Sequence, residues 1–411
     1  MALAATIKQR ALEIGFDLAG IASASALQDF RFLPQWLKKG YAGEMHYLND
    51  PRREDPRRVL PSVKSVICVG LIYNSPYPYS TEVHGAKSAP ENSTAPGDVP
   101  AAAPPRGWIS RYAWGKDYHK IMRKRLEQLR AVLQQQAPGV ETRVYTDTGP
   151  ILEREFARLA GAGWVGKNTC LINQGQGSWF FLGVVLTNLA LEPDLPAPDR
   201  CGTCTRCLEA CPTGALVEPY VMDASRCIAY FNIELRGAIP PEFRAAIGQN
   251  VFGCDICQDV CPWNRRPLSL VPGPSPVAER PDEPWGAKIR KTGAATTDLA
   301  EFQPLKVAPA APDASTGLKT HDAPTGRAAF SLFNPTLESL ASLTEEDFRQ
   351  LFAHSPIKRA KYRGWLRNLC VVMGNSGDRR FIPWLEEAAQ HSDEMVRGHA
   401  LWALARISSA A

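Results

Sequence analysis

Residues 201–212 read CGTCTRCLEACP, four cysteines spaced by two, two and three residues with a proline directly after the last. A segment this short has no apolar core of its own, and what such a run folds around is a metal centre. The x2-x2-x3-Cys-Pro spacing is the one that holds a [4Fe–4S] cube. Cys201, Cys204 and Cys207 would hold three irons of one cube, the short spacing wrapping the backbone around it. In chains with two cubes the fourth cysteine, here Cys211, ligates the other. The sequence supplies that second site: Cys254, Cys257 and Cys261-Pro262 repeat the end of the motif one ligand short, and Cys227 in DASRCIAY is the nearby thiol that fills the gap. By reciprocity one cluster takes Cys201, Cys204, Cys207 and Cys261, and the other takes Cys211, Cys227, Cys254 and Cys257. Zinc also uses sets of four cysteines, but usually as two separated pairs. Two [4Fe–4S] clusters in series imply electron transfer.

The three cysteines outside this segment, Cys68, Cys170 and Cys370, stand in apolar surroundings and read as small core residues. The N-terminal MALAATIKQRALEIGF lacks the apolar run and cleavage site of a signal peptide, and the longest apolar run, WFFLGVVL at 179–186, is too short to cross a bilayer. A cytoplasmic location with no membrane association is therefore expected, and the chain is taken to be a monomer. In that reducing compartment clustered thiols hold metal or do redox chemistry. The formal net charge of +5 is mild and does not by itself imply a nucleic-acid partner.

Along residues 1–195 helical and strand patterns alternate. An amphipathic helix opens the chain, and SVKSVICVGLIYN at 62–74 is rich in Val and Ile. Residues 116–136 are helical, ETRVYTD is a strand, and a helix is expected to open at Pro150. This predicts an α/β or α+β domain over 1–195. Residues 76–106 and 266–328 are rich in Pro and Ala and read as an inserted loop and as a linker or insertion. Residues 196–265 form the two-cluster segment, resembling a bacterial ferredoxin. Residues 329–411 turn helical again, with Leu366, Leu369, Val372 and Met373 on one face. The spacing of these helices resembles HEAT repeats, and an ordinary helical cap is the plainer alternative.

The blocks SRYAWGKDYHK (110–120), YTDTGPILEREFARLAGAGWVGKNTCLIN (145–173), CGTCTRCLEACPTGAL (201–216), VFGCDICQDVCPWNR (251–265) and SPIKRAKYRGWLRNLCVVMGN (355–375) together resemble the epoxyqueuosine reductase family. The resemblance covers nearly the whole chain apart from the two Pro/Ala-rich stretches, and extends to reductive dehalogenases in cofactor arrangement. It implies a cobalamin-binding domain over 1–195 and a tRNA-docking module over 329–411. The cofactors implied are cob(II)alamin and two [4Fe–4S] clusters, and the reaction is reduction of epoxyqueuosine to queuosine at the wobble nucleotide of a tRNA anticodon, the last step of queuosine synthesis. The resemblance makes Asp147, in YTDTGP, the acid that protonates the departing oxygen and a cofactor neighbour. A helix cap is the structural alternative, filled by Asp147 or by Thr148. Arg53, in PRREDPRR, matches a basic position near the cofactor, with a plain surface arginine as its rival. Ser110 is expected near the upper face of cobalt. Lys167, Asn168 and Thr169, in GWVGKNTCLIN, are the polar candidates of a cofactor cradle.

Basic residues interleave with aromatics at 106–130, and Arg111, Tyr112, Lys116 and Lys120 are candidates for contact with an anticodon stem-loop. A second set is Lys358, Arg359, Lys361, Arg363 and Arg367. Each set has a solvated helix face as its alternative. The sequence does not identify the external electron donor. Two other functions stay open: a cobalamin- and cluster-dependent reductase of a small molecule, and a ferredoxin-like electron carrier.

Overall fold

The computed structural model describes residues 2–24, 32–84, 103–265, 294–309 and 328–409. It divides into two units, each assembled from separate stretches of chain. The first takes residues 1–76, 117–225 and 256–302, and the second 77–116, 226–255 and 303–411. These units do not coincide with the consecutive segments that the composition suggests.

The first unit is built on a four-stranded sheet. Strands β1 (Leu18–Ser23), β2 (Ser65–Ile72), β3 (Thr142–Tyr145) and β4 (Phe180–Thr187) lie in the order β1-β2-β4-β3, and every pair is antiparallel. The alternation of helix and strand left α/β and α+β open; the antiparallel pairing makes this unit α+β. Strand β2 reads SVICVGLI and is buried along its whole length. Its run of β-branched residues suits an inner strand covered on both faces. Cys68 lies in this core, as its apolar neighbours suggested.

Helix α1 (Ala2–Ile14) leads into β1. Helix α2 (Tyr118–Gln136) starts at Asp117, whose side chain accepts the His119 N–H. Its buried face, Met122, Leu126, Leu129 and Leu133, repeats every three or four residues. Gly183 of β4 lets this face come close: a Cβ there would stand 2.9 Å from Met122 Cε. At the start of the helix the Tyr118 ring consequently stacks on Phe181 of β4, with centroids 4.0 Å apart.

The helix expected to open at Pro150 opens later. Helix α3 runs Glu153–Leu159 with Leu152 at its cap position and no side-chain cap. Neither Asp147 nor Thr148 caps it. Phe156, Ala157 and Ala160 pack into the sheet core with Val66, Val184 and Leu186.

The second unit is centred on helix α4 (Lys361–Ser376), which packs against helix α5 (Glu394–Ser409). Leu366, Leu369, Val372 and Met373 are buried, as their spacing predicts. Gly374 permits close approach, since a Cβ there would lie 2.9 Å from the Ala403 backbone. A short parallel pair, Trp108–Ile109 with Asn250–Phe252, lies in the same unit.

Part of each Pro/Ala-rich stretch lies among the described residues. Residues 85–102, 266–293 and 310–327 lie outside the described residues. Residues 294–309, expected within the linker, are tied to the folded chain: Ala295 N–H donates to Gln176 O, Thr297 N–H to Asn74 O and Leu305 N–H to Trp114 O. Among the described residues no helix is long and apolar enough to cross a membrane.

Candidate active site

Six of the eight clustered cysteines belong to the first unit, and four of these, Cys201, Cys204, Cys207 and Cys261, come together there. The hairpin Trp164–Val165 and Leu171–Ile172 supplies the wall. Trp164 and Ile172 pack with Cys261, and Cys201 and Trp263 flank them. Burial pushes the Cys261 thiol up to about 12, and nearby Cys201, Cys170 and Cys207 add to the effect. Burial likewise raises Cys207 to about 11, reinforced by Cys201 and Cys204. Backbone N–H groups act in the opposite sense: those of Cys207 and Leu208 favour the Cys207 thiolate, and that of Trp263 favours the Cys261 thiolate. Thiolates held this close in a partly buried cup repel one another unless a cation binds them. The donor set therefore fits an iron–sulfur cube.

Among the described residues no three His, Cys, Asp or Glu side chains converge as ligands of one metal ion do. Zinc would need four sulfurs at about 2.3 Å from a single point. A cube takes one thiolate at each iron and needs no such convergence. Cys170, expected in an apolar core, is half-buried and lies near Cys261. Cys211 and Cys257 lie in the first unit, Cys227 and Cys254 in the second.

Asp147 stands at the end of β3 in an irregular loop, with φ of +59°, in the left-handed region that a non-glycine residue seldom adopts. Its side chain is 65% exposed. Tyr118 donates its hydroxyl to Asp147 Oδ2 at 3.0 Å, and His119 Nε2 lies 3.3 Å from the same oxygen. The other ring nitrogen of His119, Nδ1, is 2.7 Å from Asp117 Oδ1. The Asp147 backbone N–H donates to Glu153 Oε1 at 2.6 Å. His119 holds the Asp147 carboxyl below the usual carboxylate range, outweighing its partial burial. Burial alone would depress His119, but Asp117 and Asp147 more than offset this and lift it to about 9. Burial raises Glu153 to about 8, with the Asp147 charge adding to it. The loop carboxylate thus stands beside an imidazolium from α2 and a neutral carboxyl from α3.

The expected cofactor residues divide. Arg53 Nε is buried with no acceptor, and the guanidinium reaches the Ile151 carbonyl of the Asp147 loop at 3.4 Å. Lys167 is already engaged, donating to Gly202 O at 2.6 Å and Cys204 O at 3.1 Å. Asn168 donates to Cys257 O, and its Oδ1 accepts the Cys170 N–H. These two side chains hold the cysteine segments in place instead of facing a cradle. Thr169, with φ of +63°, accepts an Arg154 N–H on its carbonyl. Ser110 belongs to the second unit, where it is buried and donates its hydroxyl to Asp255 Oδ1 at 2.5 Å.

Two of the proposed tRNA contacts are core residues. Arg111 is 1% exposed and donates to the carbonyls of Tyr77 and Pro78, with its guanidinium over the Trp114 ring. Arg367 is equally buried and donates to the carbonyls of Leu235, Gly237 and Phe231. Spent on the protein's own backbone, neither guanidinium can reach a phosphate. Tyr112 is half-buried against Phe252. Lys116, Lys120, Lys358 and Lys361 are exposed; Arg359 pairs with Glu234 at 2.7 Å and Arg363 with Asp393 at 3.4 Å.

Two family models match the chain. One, "4Fe-4S double cluster binding domain", covers residues 200–264, which contain all the clustered cysteines. The other, "Epoxyqueuosine reductase QueG, DUF1730", covers residues 53–148 and ends just past Asp147. A curated epoxyqueuosine reductase of Gloeobacter violaceus is 41% identical over 381 residues, 91% of this chain and 97% of its own length. This chain belongs to the epoxyqueuosine reductase family. It is accordingly an oxidoreductase with a 4Fe–4S binding domain. The Escherichia coli epoxyqueuosine reductase is 34% identical over 406 residues, 98% of this chain and 89% of its own. Among solved structures, an epoxyqueuosine reductase with an epoxyqueuosine-modified tRNA-Tyr stem loop matches with a TM-score of 0.74 and 26% identity, covering 99% of this chain and 90% of the other. The Bacillus subtilis epoxyqueuosine reductase, in a form whose catalytic loop is swung out of the active site, matches with a TM-score of 0.73 and 27% identity, again over 99% of this chain and 90% of the other.

Within this family member, sequence reasoning missed His119 and Glu153, and read Tyr118 only as an aromatic in a basic stretch. The available signal was the order of residues Asp117-Tyr118-His119 at a helix start. There the capping residue's carboxylate turns back over the first helical turn, within reach of a histidine two positions on.

Proposed function

We propose that this chain reduces epoxyqueuosine to queuosine at the wobble nucleotide of a tRNA anticodon, the last step of queuosine synthesis, using two [4Fe–4S] clusters and cobalamin. The observation that carries the reading is the gathering of Cys261 with Cys201 and Cys207 in the first unit, which also holds the Asp147 loop. The second cluster, from Cys211, Cys227, Cys254 and Cys257, rests on the sequence spacing and on the double-cluster model that spans it.

The residues fit a corrinoid at one point in particular. Arg53 Nε–H is a buried donor with no acceptor beside the Asp147 loop, and a corrin carries amide oxygens on its rim. Arg53 would hold such an amide, with Thr169 as a further candidate. The chemistry this cofactor supplies when bound is delivery of low-potential electrons, restored one at a time from the clusters by an external donor. Asp147 then has one task, to hand a proton to the oxygen that leaves carbon. The exposure of its side chain and its place at the end of a strand suit that task.

The HEAT-like helices at 329–411 would dock the tRNA. Lys116, Lys120, Lys358, Arg359, Lys361 and Arg363 are the remaining phosphate contacts, and the stem-loop in the related structure supports this reading. Anaerobic reconstitution followed by mass spectrometry of an epoxyqueuosine-containing stem-loop tests the whole. Loss of one oxygen is expected, and a fully loaded enzyme that leaves the stem-loop unchanged would refute it.

A further inference from the structure

Expelling an epoxide oxygen as water breaks two C–O bonds and forms a C=C bond, taking up two electrons and two protons. In the function proposed above, on which this inference rests, the electrons come from the external donor through the clusters. The protons are not accounted for by Asp147 alone. One carboxyl carries one proton, and this one is held as a carboxylate by its surroundings. Something beside it must load it and load it again.

His119 is placed to do so. Its Nε2 is 3.3 Å from Asp147 Oδ2, the oxygen that also accepts the Tyr118 hydroxyl, and its Nδ1 is 2.7 Å from Asp117 Oδ1. The ring is fixed by stacking on Tyr118, with centroids 4.1 Å apart, and Tyr118 is fixed in turn by Phe181. The His119 side chain is 32% exposed, so water can return a proton to it. The other titratable or charged groups around Asp147 are Glu153, which accepts its backbone N–H, and Arg154, which favours the carboxylate. Strand β4 behind Tyr118 reads FFLGVVLT and carries no titratable side chain. Lys116 and Lys120 flank His119 on its own segment and are exposed.

We propose that His119, held by Asp117, is the proton store of the reaction: it passes the proton on Nε2 to Asp147 Oδ2, is reprotonated by water and passes a second, so that both protons of each turnover reach the leaving oxygen through Asp147. His119 is a positioning residue in this scheme, acting only through Asp147. Each transfer leaves a neutral imidazole whose Nδ1–H stays on Asp117, and water reprotonates Nε2 before the next transfer. Because the imidazolium is the competent form, activity is full below the His119 pKa and falls as pH rises through it.

Two measurements test this. The first is the pH–rate profile of the reconstituted enzyme on a modified stem-loop. The wild type should show a basic limb near pH 9. His119→Gln should lower kcat by about 100-fold and abolish that limb. Asp117→Asn keeps the helix cap but weakens the hold on the imidazolium, and should move the limb to lower pH. Tyr118→Phe removes a hydrogen bond to the same oxygen and should leave the limb where it is. The second measurement needs no turnover: NMR of the full chain labelled in its histidines, with His119 assigned by its loss in His119→Gln. His119 should titrate well above the ordinary histidine range, and Asp117→Asn and Asp147→Asn should each lower it. The inference is overturned if His119 titrates normally, if His119→Gln keeps the wild-type rate and limb, or if the limb stays in place in Asp117→Asn. A loaded wild type that leaves the stem-loop unchanged sinks the functional reading and this inference with it. Wild-type turnover with an unaltered His119→Gln profile sinks the inference alone.

Discussion

Asp147 was legible in the sequence as an acidic residue ending a strand in YTDTGP. Its protonation state was not. The structure holds it below the usual carboxylate range, because a histidine from a neighbouring helix start lies against it. Asp147→Asn should abolish turnover while iron and cobalt contents stay near those of the wild type; full activity in that variant removes Asp147 from the acid role. Arg111 and Arg367 show the opposite limit. A guanidinium in a basic stretch reads as a phosphate contact, yet each lies in the core with carbonyls as acceptors. Composition counts charges and cannot see which of them the backbone has already taken up.

Helices and strands were largely legible, because their periodicity is written in apolar residues. The element that decides the candidate site was not. The Trp164–Val165 and Leu171–Ile172 hairpin is only two residues per strand, below what a pattern can reveal. It is entered through Gly163, where an added Cβ would lie 2.1 Å from the Ile172 carbonyl oxygen. Backbone cannot yield there as a flexible side chain would. Gly163→Ala should destabilise the first unit by about 1–3 kcal/mol and lower iron content, read from denaturation and metal analysis. In the second unit, His399 on α5 is fully buried, accepting the Ile239 N–H on Nε2 and bonding Met395 O through Nδ1. Burial lowers it to about 4, with Arg244 and Arg367 contributing. The unfolded chain takes up this proton below its ordinary pKa of about 6.5 and the folded chain only near 4, so stability falls as pH drops through that window. The loss should be about 3 kcal/mol, visible as weakened hydrogen-exchange protection of α4 and α5, and His399→Gln should flatten the dependence.

At the scale of the molecule the prediction concerns metal. The reconstituted chain should hold about eight irons and one cobalt, and Cys227→Ala should lose about half the iron, one cluster and not both. An unchanged iron count would refute the pairing of cysteines. The sequence by itself determined the double-cluster spacing, the family and the positions of the regular elements, since each is local: ligand spacing, motif order and apolar period all lie along the chain. Only the tertiary structure decided that Cys261 stands with Cys201 and Cys207, that Lys167 and Asn168 brace the cysteine segments, and that His119 and Glu153 surround Asp147. Charge, burial and proton affinity depend on what is nearby in space, and only folding supplies those neighbours.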